Sequence, residues 1–122
     1  MIEVLGLLGL ALVVLGAILD LIAALGLVRL PDFYTRLHAA TIGAIGGAAV
    51  PLVGSALIAL SLEELGSVRL AIFGGSLFTS VVVTLVAPIA SHAVARAAYR
   101  SGEVKPVRLL KDSLSEKRGE TT

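Results

Sequence analysis

The chain has 122 residues, of which 57% are hydrophobic and only 16% charged, with a formal net charge of +1. An average soluble domain is about 25% charged. Here the few charges also avoid long stretches: Ile42–Leu62 and Leu70–Ala95 carry none, and Val4–Val28 carries only Asp20. A soluble globule of this size could not hide three such stretches, so the soluble class is excluded.

Val4–Val28, Ala39–Leu62 and Leu70–Ala95 contain 25, 24 and 26 residues. A run of about 20 apolar residues crosses a hydrocarbon core of roughly 30 Å as a helix. No period-two alternation points to a barrel, and continuous apolar runs satisfy their backbone in lipid as helices. The expected fold class is therefore an all-α integral membrane protein with three transmembrane helices and a short cytoplasmic C-terminal tail. Residues 1–100 are expected to form the membrane domain, with spans at about 4–28, 37–62 and 70–95, and 101–122 a basic tail. The first run has no basic n-region and is too long for a signal-peptide core, so it reads as a retained helix.

In chain order, the first helix should end near Val28–Arg29. Pro31 then suits the opening turn of the second helix, where Asp32 would complement the helix dipole and pair with Arg36 at i,i+4. The second helix carries Ala40, Ala44 and Ala48 on one stripe and Gly43, Gly47 and Pro51 on its neighbour, a spacing that allows close helix approach. Pro51 removes one backbone donor and is expected to bend the helix near Gly47. Glu63–Ser67 reads as a tight polar turn whose acids are simply solvated. The third helix repeats the small-residue theme with Ala71, Gly75 and Thr79 and meets Pro88 near its end. In the tail, Val107, Leu110 and Leu114 share one face of a short amphipathic helix, with disorder expected from Ser115 onward.

There is no cysteine, which excludes disulfides, thiolate metal sites and a cysteine nucleophile. Residues 1–95 hold three basic and five acidic groups, and residues 96–122 hold seven and four. With three spans, the first loop and tail share one side and hold nine basic residues, against Arg69 alone on the other side. The excess of Lys and Arg in cytoplasmic loops then predicts an outside N-terminus and a cytoplasmic C-terminus in a multi-pass plasma-membrane protein.

Asp20 is the most informative single residue. It lies about 12 Å from Val28 along the helix axis, hence within the hydrocarbon, where an acid must face protein or water and find a partner. It serves either as a proton or cation relay or as a buried acid that docks the first helix on another subunit. His38 and His92 sit about one turn inside the ends of the second and third helices. Histidine as a residue type can change charge, which would suit a relay, although interfacial hydrogen bonding is the favoured reading. Tyr34 at i−4 from His38 and Arg96 at i+4 from His92 are expected to anchor helix ends. Two histidines without cysteine make no convincing metal site. No nucleophile constellation, phosphate loop or redox ligand set suggests catalysis or a cofactor, and the basic tail lacks the aromatic interleaving of a nucleic-acid binder.

The stretch Arg29–Thr41, RLPDFYTRLHAAT, resembles the first-loop signature of the G subunit of multisubunit (Mrp-type) Na+/H+ antiporters. APIASHAVARAAYRSG, Ala87–Gly102, is similar to that family's third-helix ending, so the resemblance covers about residues 1–105. Ile42 stands where a basic or polar residue is expected, so no role of a lysine there carries over. The resemblance implies an accessory, non-catalytic membrane subunit whose partners are the other subunits of an antiporter-like complex, the lipid bilayer, and Na+ and H+ as transported ions. Related subunits occur in the Na+-translocating modules of membrane-bound hydrogenases and sulfur-reducing respiratory complexes, and that setting is a second reading. A small homo-oligomeric channel lined by Asp20 is a third, and an assembly scaffold without part in ion movement a fourth.

Overall fold

The computed structural model describes residues 1–102. Three helices account for nearly all of them: Ile2–Arg29, Phe33–Ser61 and Val68–Ser101, each long and apolar enough to cross a membrane. The protein is an all-helical, multi-pass membrane protein. The tail beyond Gly102, including the amphipathic pattern at Val107, Leu110 and Leu114, lies outside the described residues.

Local chemistry sets the helix ends. Leu30 precedes proline, which disfavours the helical region for it, and it is extended at φ −74°, ψ 132°. Pro31 therefore lies outside the second helix rather than in its first turn, and Asp32 is the N-cap, though its side chain makes no capping bond. The second connection is a 3-10 turn, Glu63–Leu65, closed by Gly66 at φ 54°, ψ −132°. A side chain would be strained in that backbone region. Gly102, left-handed at φ 70°, ends the third helix in the common glycine C-cap manner.

The second helix is not uniformly α-helical. Phe33–Ile42 and Val50–Ser61 are α, and Gly43–Ala49 between them is a π-helix. The chain takes up the missing donor of Pro51 by widening the preceding turns, a local adjustment that such prolines commonly need.

The second helix packs against both others along its length, and it holds the first and third apart. The three helices thus stand in a row and enclose no interior. Among the described residues the buried apolar side chains are all alanines (Ala23, Ala39, Ala49, Ala56 and Ala59), and no large side chain is fully buried. Two broad faces made of Leu, Val, Ile and Phe are left outward, as suits lipid or neighbouring membrane chains.

Candidate functional site

The seam between the first and second helices is built on glycine. Gly9, Gly16 and Ala23 recur every seven residues and are buried, a spacing that keeps one face of a helix on its neighbour. A Cβ on Gly9 would lie 2.5 Å from the carbonyl oxygen of Gly54, and a Cβ on Gly54 would lie 2.5 Å from that of Gly9. Gly16 receives the ring of Pro51, whose Cγ and Cδ occupy the space a Cβ would need.

Four residues beyond Gly16, on the same face, Asp20 lays its carboxylate over the backbone of the second helix. A Cβ on Gly47 would be 2.7 Å from Asp20 Oδ1, and one on Gly43 would be 3.6 Å away. Both glycines sit in the π-helical segment, and their missing side chains make room for the carboxylate. Asp20 remains exposed within this chain and has no hydrogen bond or ion pair among the described residues.

The π-helical segment adds a second oxygen. Val50 donates its N–H to the carbonyl of Ile45, and Pro51 has no N–H to give. Gly46 therefore has neither an i+4 nor an i+5 amide for its carbonyl, and a backbone acceptor left in that state seeks another partner. That oxygen faces the first helix at Gly16, 3.1 Å from where a Cβ would be, one turn from Asp20. Helix three fastens both ends of the segment. Thr41 Oγ1 and Ser91 Oγ share a hydrogen bond of 2.6 Å just before it. Ser80 Oγ, on a buried residue, donates to the Ala49 carbonyl at its far end, at 2.9 Å. The Asp20 carboxylate itself is an acceptor with no donor among the described residues. A proton, a cation or a donor from another chain would each satisfy it.

His38 and His92 meet elsewhere. They line one groove between the second and third helices with Tyr34, Thr41, Pro88 and Ser91. Gly43, the first glycine beside Asp20, lies about 7.5 Å beyond His38 along the helix. Asp20 does not line the groove, so the structure joins the two histidines to each other but not to the acid. Both histidines are exposed, and neither makes the interfacial hydrogen bond expected of it among the described residues. Tyr34 also lies beside His92 and Arg96 in an adjoining cleft, with its hydroxyl buried and unpartnered. No cluster of three or more potential metal ligands occurs among the described residues.

The helix-end residues are arranged differently from the expected ion pair. Arg36 Nε donates to the Leu30 carbonyl across the Pro31 turn, and Thr35 Oγ1 donates to the Asp32 carbonyl at 2.9 Å. The Asp32–Arg36 pair does not form, and Asp32 Oδ1 is buried without a partner. Holding the loop shut through a backbone carbonyl is geometrically available to Arg36 because extended Leu30 turns its C=O back toward the helix start. Gly75 looks into open space and packs on no other helix of this chain.

Two features escaped the sequence reading. The seven-residue recurrence of Gly9, Gly16 and Ala23 was there to be seen and would have identified the packing face of the first helix. Nothing in the sequence distinguishes Ser80 and Ser91 from the other hydroxyls of these helices, most of which bond back to their own helix, as Thr84 does to Ser80 and Ser55 to Pro51.

Residues 12–99 match the Na+/H+ antiporter subunit family PhaG_MnhG_YufB. Among curated relatives, those named as antiporter subunit mnhG2 from Staphylococcus saprophyticus, Staphylococcus haemolyticus and Staphylococcus aureus are 33%, 35% and 34% identical over 100 residues. The aligned part is 82% of this chain in each case and 64%, 55% and 65% of the respective relative, so the match spans less than two thirds of their lengths. No solved structure matches the chain. By the extent of these matches, the chain belongs to the PhaG_MnhG_YufB family of Na+/H+ antiporter subunits.

Proposed function

We propose that this chain is the G-type subunit of a multisubunit antiporter exchanging Na+ for H+, and that it forms one wall of the assembly without being a transporter by itself. The observation that carries this reading is the row of helices. With the second helix in the middle and no enclosed interior, the chain has no room for an ion path of its own. Asp20 is unpaired and exposed on the central stretch of an apolar helix. A carboxylate in that setting is costly unless protein or water receives it, and here the receiving groups belong to a neighbouring subunit. In this role Asp20 stands at the boundary between subunits, where it passes a proton or cation or fixes the contact. Nine basic residues on the side of the first loop and tail, against one on the other, support a cytoplasmic C-terminus.

The test is co-purification of the tagged full-length chain in mild detergent, followed by reconstitution. Antiporter subunits should be recovered with it, the complex should exchange Na+ for H+ in liposomes, and the chain alone should not. Exchange by the isolated chain overturns the proposal, and recovery of nickel-iron or iron–sulfur subunits transfers it to a redox-driven complex. Asp20→Asn separates the two roles of the acid: lost exchange with normal assembly makes it a relay, and lost assembly makes it a contact. Because the chain has no cysteine, single substitutions Ser67→Cys and Thr35→Cys test orientation directly. An impermeant maleimide should label the first from outside the cell and leave the second unlabelled.

A further inference from the structure

At its C-terminal end the third helix carries a stripe whose chemistry changes once along its length. At 100° per residue, Phe78, Val82, Leu85, Ile89, Arg96 and Arg100 fall within about 40° of one direction. Ser80 and Ser91, which bond to the second helix, lie on the opposite side, so the stripe faces away from the rest of the chain. Its apolar members are open to the surroundings: Phe78 is 71% exposed, Leu85 62% and Ile89 69%. Arg96, Arg100 and the flanking His92 are exposed as well. Together with Ile89 and the small side chains of Ala93 and Ala97, these three line a groove of about 440 Å³.

We propose that this groove binds an anionic phospholipid, with the headgroup phosphate between Arg96 and Arg100 and an acyl chain along the stripe toward Phe78. Three observations converge on that occupant. The first is charge. The acids among the described residues are Glu3, Asp20, Asp32, Glu63 and Glu64, and none lines this groove or the adjoining cleft shared by His92, Arg96 and Tyr34. The guanidinium groups therefore have no counter-charge within the described chain, and a phosphate accepts their paired N–H groups in fork geometry. The second is length. From Arg96 to Val82 the helix rises about 21 Å, which matches half of a bilayer that measures about 40–45 Å with its headgroups. The third is shape. Membrane helices usually meet one another through small residues, whereas this stripe is bulky from Ile89 to Phe78, with small residues only at its two ends, Ala93 and Ala97 in the groove and Gly74 and Gly75 beyond Phe78.

The full-length chain, purified in mild detergent, is mixed with dioleoyl phosphatidylglycerol or dioleoyl phosphatidylcholine, and bound lipid is counted by native mass spectrometry. Phosphatidylglycerol should be retained in preference, inorganic phosphate should not displace it, and each arginine removed should weaken retention about fivefold, so that Arg96→Gln with Arg100→Gln costs about 30-fold. Arg69→Gln, at the other end of the helix, should change nothing and controls for loss of charge alone. Arg96→Lys with Arg100→Lys should recover part of the loss and shows that the protein still folds. Equal retention of the two lipids, an unaffected double variant, or a carboxylate of a neighbouring subunit cross-linking to Arg96 in place of lipid would each overturn the proposal.

Discussion

Gly9→Ala offers the sharpest test of the helix seam. The added methyl would sit 2.5 Å from the Gly54 carbonyl oxygen, with Ile58 Cγ1 at 2.8 Å and Ile58 N at 3.0 Å. Ordinary contact for such an atom begins at 3.4 Å, so the helices must part locally by about 0.9 Å. Two of the three obstructing atoms are backbone, and no rotamer change can clear them. Overpacking of this kind costs about 1–3 kcal/mol, or a factor of about 5 to 150 in the folding equilibrium. Gly75→Ala is the matched control, since nothing lies within 4 Å of its added methyl. Alanine is also the better helix former by about 1 kcal/mol, so the control should be neutral or slightly stabilising and any difference belongs to the seam. Equilibrium unfolding of the purified chain in mixed micelles, followed by loss of helical signal with increasing sodium dodecyl sulfate, gives both midpoints. Coincident midpoints would refute backbone contact between the first two helices at this point.

Three further outcomes follow from the same geometry. Gly47→Ala places a methyl 2.7 Å from Asp20 Oδ1 and 2.8 Å from its Cβ, so the whole side chain must swing away; exchange by the assembled complex should fall toward that of Asp20→Asn, and unchanged exchange would show that the carboxylate works from another position. Pro51→Ala restores an amide within reach of the Gly46 carbonyl and empties the notch at Gly16. Hydrogen exchange over Gly43–Ala49 should slow as the segment tightens to an α-helix, while stability drops by about 1–3 kcal/mol through the lost ring packing; unaltered exchange would mean that proline is not the cause of the π-helix. Ser80→Ala removes the bond to Ala49 and should lower stability by about 0.6 kcal/mol, the average for hydrogen bonds between membrane helices, and an unmoved unfolding midpoint would argue that the third helix is held by packing alone.

How far the site could be read in advance differs from residue to residue. Asp20 announced itself because an acid inside an apolar run is expensive wherever the rest of the chain goes. Its neighbours could be named only in part: Gly43, Gly47 and Pro51 were legible as a small-residue stripe, but not as the floor beneath this carboxylate. His38 and His92 could be assigned to the same end of the bundle from their distance to the helix ends. That they share a groove with each other and not with Asp20 depends on the order of the helices in the row. The expected Asp32–Arg36 pair failed for a local reason, since proline holds Leu30 extended and offers Arg36 a backbone oxygen instead.

Composition alone determined that this is a membrane protein of three helices, because the cost of an exposed backbone or a charge in hydrocarbon depends on the run itself and not on what packs beside it. Tertiary structure alone decided that the helices stand in a row, that the second widens into a π-helix over Gly43–Ala49, and that Asp20 of the first helix lies over Gly43 and Gly47 of the second. Those outcomes turn on which faces meet, and a helix that is apolar all round carries no pattern strong enough to choose among its faces. In lipid the choice falls to glycine contacts and a few hydroxyl bonds, each small and each dependent on a neighbour far away in the chain.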